Sequence, residues 1–179
     1  MNPIKRKLKS LFYRIYFMFL RYVLMQSTWK FQLKYFPLYL DLKNKGISVT
    51  LATQKEREVD MTTIIREELK PGEVCFDLGS NIGFYPILNS TCVGPKGKIV
   101  CVEPDPRNIP TLAKNISLLK NKGIAVMLNI AISSTSEKKY LQQTEQTNLN
   151  VLYDEPMEDG NHTVVECLTV DDLSAQTGL

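Results

Sequence analysis

Val74-Cys75-Phe76-Asp77-Leu78-Gly79-Ser80-Asn81-Ile82-Gly83 is the stretch on which the fold of this 179-residue chain turns. Val74 to Phe76 reads as a brief apolar strand that runs into a glycine-bearing turn, and Ile82 to Ser90 continues as a helix. Gly79 and Gly83 can take positive φ and carry no Cβ, so the backbone of such a turn can approach a ligand closely. The free amides at the start of the following helix suit a carboxylate or a phosphate.

Working outward, Gly94-Pro95-Lys96-Gly97 is a turn, and Lys98 to Val102 is a second apolar strand that closes on Glu103-Pro104. Asp105 as cap and Pro106 in the first turn predict the start of another helix, whose apolar face holds Ile109, Leu112, Ala113, Ile116 and Leu119. Pro110 sits awkwardly inside that helix and argues for a distorted or later start. Gly123 ends it, and Ala125 to Ile132 reads as a third strand. Alternation of strand and helix in this order predicts an α/β fold with a parallel sheet and covering helices. On the N-terminal side, Lys43-Asn44-Lys45-Gly46 reads as a turn, Ile47 to Leu51 alternates as a short strand would, and Asp60 to Leu69 is helical up to Pro71-Gly72. On the C-terminal side, Lys138 to Gln142 and Val164 to Val170 read as strands around a polar hairpin or irregular insertion.

The chemistry rests on two acids. Glu103 closes the second strand, 20 residues after Gly83, where a carboxylate can accept two hydrogen bonds from a ribose diol. A phosphate in the turn is disfavoured, because Asp77 stands beside it and no basic residue lies between Asp77 and Pro95. The amino-acid moiety of methionine fits better: Asp77 can meet its ammonium while the turn amides meet its carboxylate. A dinucleotide fingerprint would require glycine where Asn81 stands.

Taken in order, Asp77-Leu78-Gly79-Ser80-Asn81-Ile82-Gly83-Phe84-Tyr85, Glu103-Pro104-Asp105-Pro106, Leu112-x-x-Asn115 and Asn129-Ile130-Ala131-Ile132-Ser133 resemble the FkbM family of methyltransferases, over residues 56–173. The resemblance implies a Rossmann-like class I methyltransferase sheet that binds S-adenosyl-L-methionine at the ends of its first strands. It places Asp77, Gly79, Ser80, Asn81 and Gly83 in the loop around the methionine part, Glu103 and Pro104 at the ribose, and the Asn129 to Ala131 turn at the adenine. The acceptor it implies is a hydroxyl on a sugar, a polyketide or another small molecule. No catalytic base is assigned.

Three departures from the family pattern stand out. Ser80 replaces an Ala, a small-for-small change, and Pro86 replaces a Thr or Ser whose hydroxyl could help hold the methionine carboxylate. In the family, a segment like Thr169-Val170-Asp171-Asp172-Leu173 is followed by a fourth strand bearing Lys-x-Asp-x-Glu-Gly, whereas here Leu179 follows shortly. The expectation is therefore an incomplete sheet, the cofactor-binding half, with the remainder supplied by a longer gene or a partner. The alternative is an inactive methyltransferase-like fragment that acts as a membrane-associated or regulatory module.

Charge divides the chain into a basic aromatic helical arm, residues 1–40, and a partial methyltransferase domain, residues 41–179. The arm holds 8 Lys or Arg and no acid, against 14 bases and 19 acids in the remainder. Within it Lys7, Arg14 and Arg21 are spaced by seven and form a basic stripe on a helix, with Leu11, Ile15, Phe19, Tyr22 and Met25 around it. Two readings stay open: an amphipathic helix over residues 5–25 lying on an anionic membrane, or one packed on its own domain. Arg14 and Arg21 interrupt the apolar run, and no small-residue cleavage site follows, so neither a signal peptide nor a span is expected. An acidic body without a known binding motif argues against nucleic acid as partner. Cys75, Cys92, Cys101 and Cys167 form no CxxC pair and His162 stands alone in a polar stretch, so no metal site is expected. Small core thiols of this kind suit a reducing, cytoplasmic compartment, with the arm as the point of peripheral membrane contact.

Overall fold

The computed structural model describes residues 3–44, 46–158 and 160–179, with the side chain of Lys122 left aside; Lys45 of the expected turn lies outside the described residues. Its centre is a three-stranded parallel sheet in the order β3 (Val74–Leu78), β4 (Lys98–Val102), β5 (Ala125–Leu128). β4 is the middle strand, with Ile99, Val100, Cys101 and Val102 all buried, as a parallel strand covered on both faces requires. Register sets Asp77 opposite Cys101 and Leu78 opposite Val102, so both strands end at the same level. β3 pairs with β4 on one side and, among the described residues, with no strand on the other.

Alternation along β4 divides the core. Ile99 and Cys101 face the larger apolar cluster, built from α1 (Pro3–Tyr22), the hairpin β1 (Thr28–Gln32) and β2 (Pro37–Asp41), α2 (Ile47–Gln54), α4 (Phe84–Val93) and α5 (Ile109–Ile116). Val100 and Val102 face the opposite side, where Leu173 of α6 (Val170–Thr177) packs with Phe76, Leu128 and Ile132. Helices thus cover both faces of the sheet, the α/β arrangement expected from the strand–helix alternation and the Rossmann-like layout that the resemblance implies. A further helix, α3 (Val59–Glu68), lies against α4. A second sheet follows, in the order β6 (Ala131–Ile132), β9 (His162–Leu168), β7 (Lys138–Gln142), β8 (Leu152–Tyr153).

Several expected elements are corrected. Ile47 to Leu51 is the start of α2, not a strand: Ser48, Ala52 and Thr53 are buried along with Ile47, Val49 and Leu51, and a segment buried nearly all round shows no helical period. Residues 1–40 hold a hairpin besides their helix, with Phe31 paired to Leu38 and both buried. Asp105 caps no helix. Its carboxylate instead takes the Arg107 amide and guanidinium, and α5 starts at Ile109, which leaves Pro110 in the first turn where its missing N–H costs nothing. α5 ends at Ile116 rather than at Gly123. The third strand is broken after Leu128, where the Asn129 side chain bonds the carbonyls of Glu103 and Pro104. The last strand stops at Leu168, because Thr169 Oγ1 accepts from the Asp172 amide and caps α6, with Asp171 and Asp172 favourably placed in its first turn.

Candidate active site

Three left-handed residues within five, Gly79 (φ 93°), Asn81 (φ 48°) and Gly83 (φ 94°), wrap the turn after β3 over the end of β4. The amides of Gly79 and Ser80 both donate to the Val102 carbonyl, at 2.8 and 2.9 Å, and the Gly83 amide donates to the Ser80 carbonyl at 2.8 Å. The two glycines serve different ends. A Cβ at Gly79 would enter open space, so this glycine keeps room in front of the backbone; a Cβ at Gly83 would come within 2.9 Å of Leu112 Cδ1, so that glycine lets α4 and α5 close together. Asn115, fully buried on α5, holds the rear of the turn: its Nδ2 donates to the Ile82 carbonyl (2.7 Å) and to the Tyr39 carbonyl (2.9 Å), and its Oδ1 accepts from the Tyr39 amide (2.7 Å).

Glu103 is only 4% exposed, and its carboxylate ties the turn to the loop that follows β4. Oε2 accepts from the Asn81 amide at 2.6 Å, and Oε1 accepts from the Asp105 amide (2.9 Å) and Asn108 Nδ2 (3.0 Å). Three of its roughly four acceptor positions are therefore filled. That leaves room for one further hydrogen bond rather than the two expected of a bidentate ribose grip. Burial pushes its pKa up, and the bonds from Asn108, Asp105 and Asn81 offset part of that rise.

Gly79, Ser80, Asn81, Glu103, Pro104 and Ala131 line a common cavity of about 550 Å³, within the range of small-molecule sites. Asp77, Gly83 and Asn129 do not line it. Gly83 and Asn129 stand behind it as packing and bracing residues. Asp77 is the penultimate residue of β3, just before the turn, yet its side chain lies on the α3 side, along a groove with Ile65, Leu69 and Asn89. There Oδ2 is fully shielded and has no hydrogen-bond partner among the described residues. Burial raises the Asp77 pKa, against a lesser lowering by Ser80.

Much of the cavity wall comes from residues that the local motifs do not reveal. Thr147, Asn148, Asn150, Val151 and Leu152 of the polar insertion close one side, and Thr147 Oγ1 accepts from Asn81 Nδ2 at 3.1 Å. Asn150 Nδ2 donates to Asp105 Oδ2 at 2.6 Å, which fastens the insertion to the loop after β4. Arg57, from the bend between α2 and α3, also lines the cavity; it pairs with Glu58 at 3.0 Å, and its Nε is buried without a hydrogen-bond partner among the described residues. Beside it the Tyr85 hydroxyl donates to Glu58, and burial raises its pKa. Neighbours in sequence supply no cation against a phosphate in the turn, but the fold delivers one to the cavity from 20 residues before Asp77.

The thiols of β3 and β4 are inert by comparison. Burial pushes Cys101 up to about 12 and Cys75 to about 11, far from the range in which a thiolate forms at neutral pH.

No protein-family model matches the sequence, and no curated protein matches it. Solved structures do. They include Pyrococcus horikoshii TYW2 in complex with MeSAdo (18% identity, 73% of this chain, 51% of that one, TM-score 0.46). Aeropyrum pernix fibrillarin with natively bound S-adenosyl-L-methionine is similar over 58% of this chain and 40% of its own, at 16% identity and TM-score 0.34. A SAM-dependent O-methyltransferase from Thermotoga maritima is similar over 58% and 49%, at 12% identity and TM-score 0.37. The chain spans about half or less of the length of the structures it matches.

Proposed function

We propose that this chain carries the cofactor-binding part of an S-adenosyl-L-methionine-dependent methyltransferase of the FkbM type, acting on a hydroxyl of a sugar or other small molecule. The observation that carries this reading is the meeting of the glycine turn with Glu103 at the ends of two neighbouring parallel strands, joined by the 2.6 Å bond from the Asn81 amide. Ligands of open α/β sheets bind at that end of the strands.

The residues present fit the cofactor. Space in front of Gly79 admits the methionine backbone, and Arg57 in the cavity wall supplies a cation for its carboxylate where Pro86 brings no hydroxyl. Asp77 faces the α3 groove rather than the cavity, so any part it plays toward the ammonium is through its charge and not by contact. Glu103 has one acceptor position for a ribose hydroxyl, and Ala131 with Ile132 forms the apolar wall for a base. When bound, the cofactor supplies a methyl group on a positively charged sulfur. The chain's own part is to hold reacting atoms in line and keep water from between them, for which Leu141, Val151 and Leu152 furnish apolar surface.

One observation favours a second reading, a methyltransferase-like module that binds no cofactor: the Glu103 carboxylate is nearly saturated and Asn81 is already bonded to Thr147. Isothermal titration of S-adenosylhomocysteine into the full chain, with NAD in a parallel run, separates the readings. Saturable heat with the former alone supports the proposal; heat with NAD alone, or with neither, rejects it.

A further inference from the structure

α1 has two apolar faces, and only one of them is used. Tyr13, Tyr16, Phe17 and Leu20 point inward, where Phe17 and Leu20 are buried and all three rings lie within 6.4 Å of Phe31. This half of the helix packs on its own domain. On the other side Leu8, Leu11, Ile15, Met18 and Tyr22, spaced alternately by three and four residues, are 53–65% exposed, and Phe12 and Phe19 widen the stripe. Single exposed apolar side chains are ordinary, but a continuous stripe of seven along about four turns marks an interaction surface.

Charge decides what that surface meets. Lys7, Arg14 and Arg21 line one border of the stripe and Lys5 the other, and residues 1–40 contain no acid. The three-and-four spacing also suits a coiled-coil seam, which would make a second copy the partner. In such a pair the flanking positions would set basic residues against basic or aromatic ones, with no carboxylate in the arm to relieve them. A spanning role is closed to it too, since among the described residues no helix is long and apolar enough to cross a membrane. A surface that is negative outside and apolar beneath answers both features of the helix at once.

We infer that α1 docks this protein onto an anionic lipid bilayer. The helix lies in the interfacial plane with Leu8, Leu11, Ile15, Met18 and Tyr22 in the acyl boundary, while Lys7, Arg14 and Arg21 reach the headgroup phosphates along their flexible stems. Phe17 and Leu20 keep the domain attached to the helix from above. The two sequence readings of the arm thus become the two faces of one helix. This inference is independent of the methyltransferase reading, and a failed titration of cofactor leaves it standing.

The test is flotation of the full chain with vesicles of phosphatidylcholine alone and of phosphatidylcholine with about one-third phosphatidylglycerol. Deleting the arm is the wrong perturbation, because it also strips Phe17 and Leu20 from the core. Two double variants at exposed positions avoid this: Leu11→Ser with Ile15→Ser, and Lys7→Gln with Arg14→Gln, each checked for unchanged urea unfolding. The wild type floats with anionic vesicles and stays with the soluble fraction when they are neutral. Losing two basic side chains lowers partitioning about 25-fold, at about fivefold for each charge near an anionic surface. The Ser variant loses at least about tenfold. Equal flotation with neutral vesicles, or no flotation with anionic ones, overturns the inference. A wild-type dimer in analytical ultracentrifugation that the Ser variant turns into monomer also overturns it, and assigns the face to a second copy.

Discussion

Replacing Glu103 by Ala tests how far this acid is structural before any ligand arrives. The carboxylate takes three donors: the Asn81 amide at 2.6 Å, the Asp105 amide at 2.9 Å and Asn108 Nδ2 at 3.0 Å. Asp105 and Asn108 are each only 1% exposed, so two of those donors lose their partner where solvent does not reach, whereas Asn81 borders the cavity and can be hydrated. At about 1–3 kcal/mol for each buried donor left unsatisfied, the loss is about 2–6 kcal/mol. Removing a charge that burial already disfavours returns part of this, leaving a net destabilisation of about 2–4 kcal/mol. For a chain of this length that corresponds to a fall in Tm of about 5–15 °C. Glu103→Gln keeps one carbonyl oxygen for Asp105 and Asn108 but sets an NH₂ against the Asn81 amide, at a cost of about 1–2 kcal/mol. Urea unfolding followed through Trp29, the single tryptophan, which packs against the main core, measures both. A Glu103→Ala protein within about 0.5 kcal/mol of wild type would falsify this account of the turn. The gentler Gln variant is then the one to use for cofactor affinity, since loss of binding in the Ala variant includes loss of the loop.

Other consequences of the geometry are as direct. Asp77→Asn removes a shielded charge whose folded pKa is raised, so the variant is more stable than wild type at neutral pH. A raised acid pKa means the folded state holds its proton more tightly than the unfolded state. Wild-type stability therefore falls as pH climbs from the ordinary 3.8 through the folded value. The advantage of Asp77→Asn should shrink in acid unfolding curves below that window; an advantage that grows on acidification contradicts the assignment. Arg57→Gln leaves urea unfolding within about 1 kcal/mol of wild type but weakens S-adenosylhomocysteine binding by about tenfold or more, as expected for a lost charge-assisted hydrogen bond. Unchanged affinity removes Arg57 from the site. Gly83→Ala forces a Cβ to within 2.9 Å of Leu112 Cδ1 at φ 94° and should cost about 1–3 kcal/mol in thermal unfolding, while Gly79→Ala, which meets nothing, costs less and shows its effect in binding. Equal destabilisation by the two would contradict their separate roles.

The legible parts of the fold were those whose sequence neighbours decide them. β3, the glycine turn and β4 form a local unit with an uninterrupted apolar run and two glycines, and each appears where the pattern places it. The hairpin is legible as well: Phe31 and Leu33, then Leu38, Leu40 and Leu42, are two apart and buried around the Lys34 to Phe36 bend. The basic and aromatic periodicity of residues 5–25 belongs to α1 and does not extend to it. α2 was illegible for a physical reason, since burial on nearly every side leaves no polar face to mark its period. Site residues divide in the same way. Gly79, Asn81 and Glu103 belong to the local unit, whereas Arg57, Thr147 and Asn150 reach the cavity across chain separations that no motif spans. The saturation of Glu103 depends on Asn108, five residues on, and only the folded loop shows that its Nδ2 turns back.

The most direct measurement is photolabelling of the full chain with methyl-tritiated S-adenosyl-L-methionine, followed by peptide mapping. Label should appear, and be competed away by S-adenosylhomocysteine, in peptides holding Gly79 to Phe84, Glu103 to Pro104 or Thr147 to Leu152, the three walls of one cavity. Competable label confined to other peptides, or none at all, contradicts the assignment of this cavity.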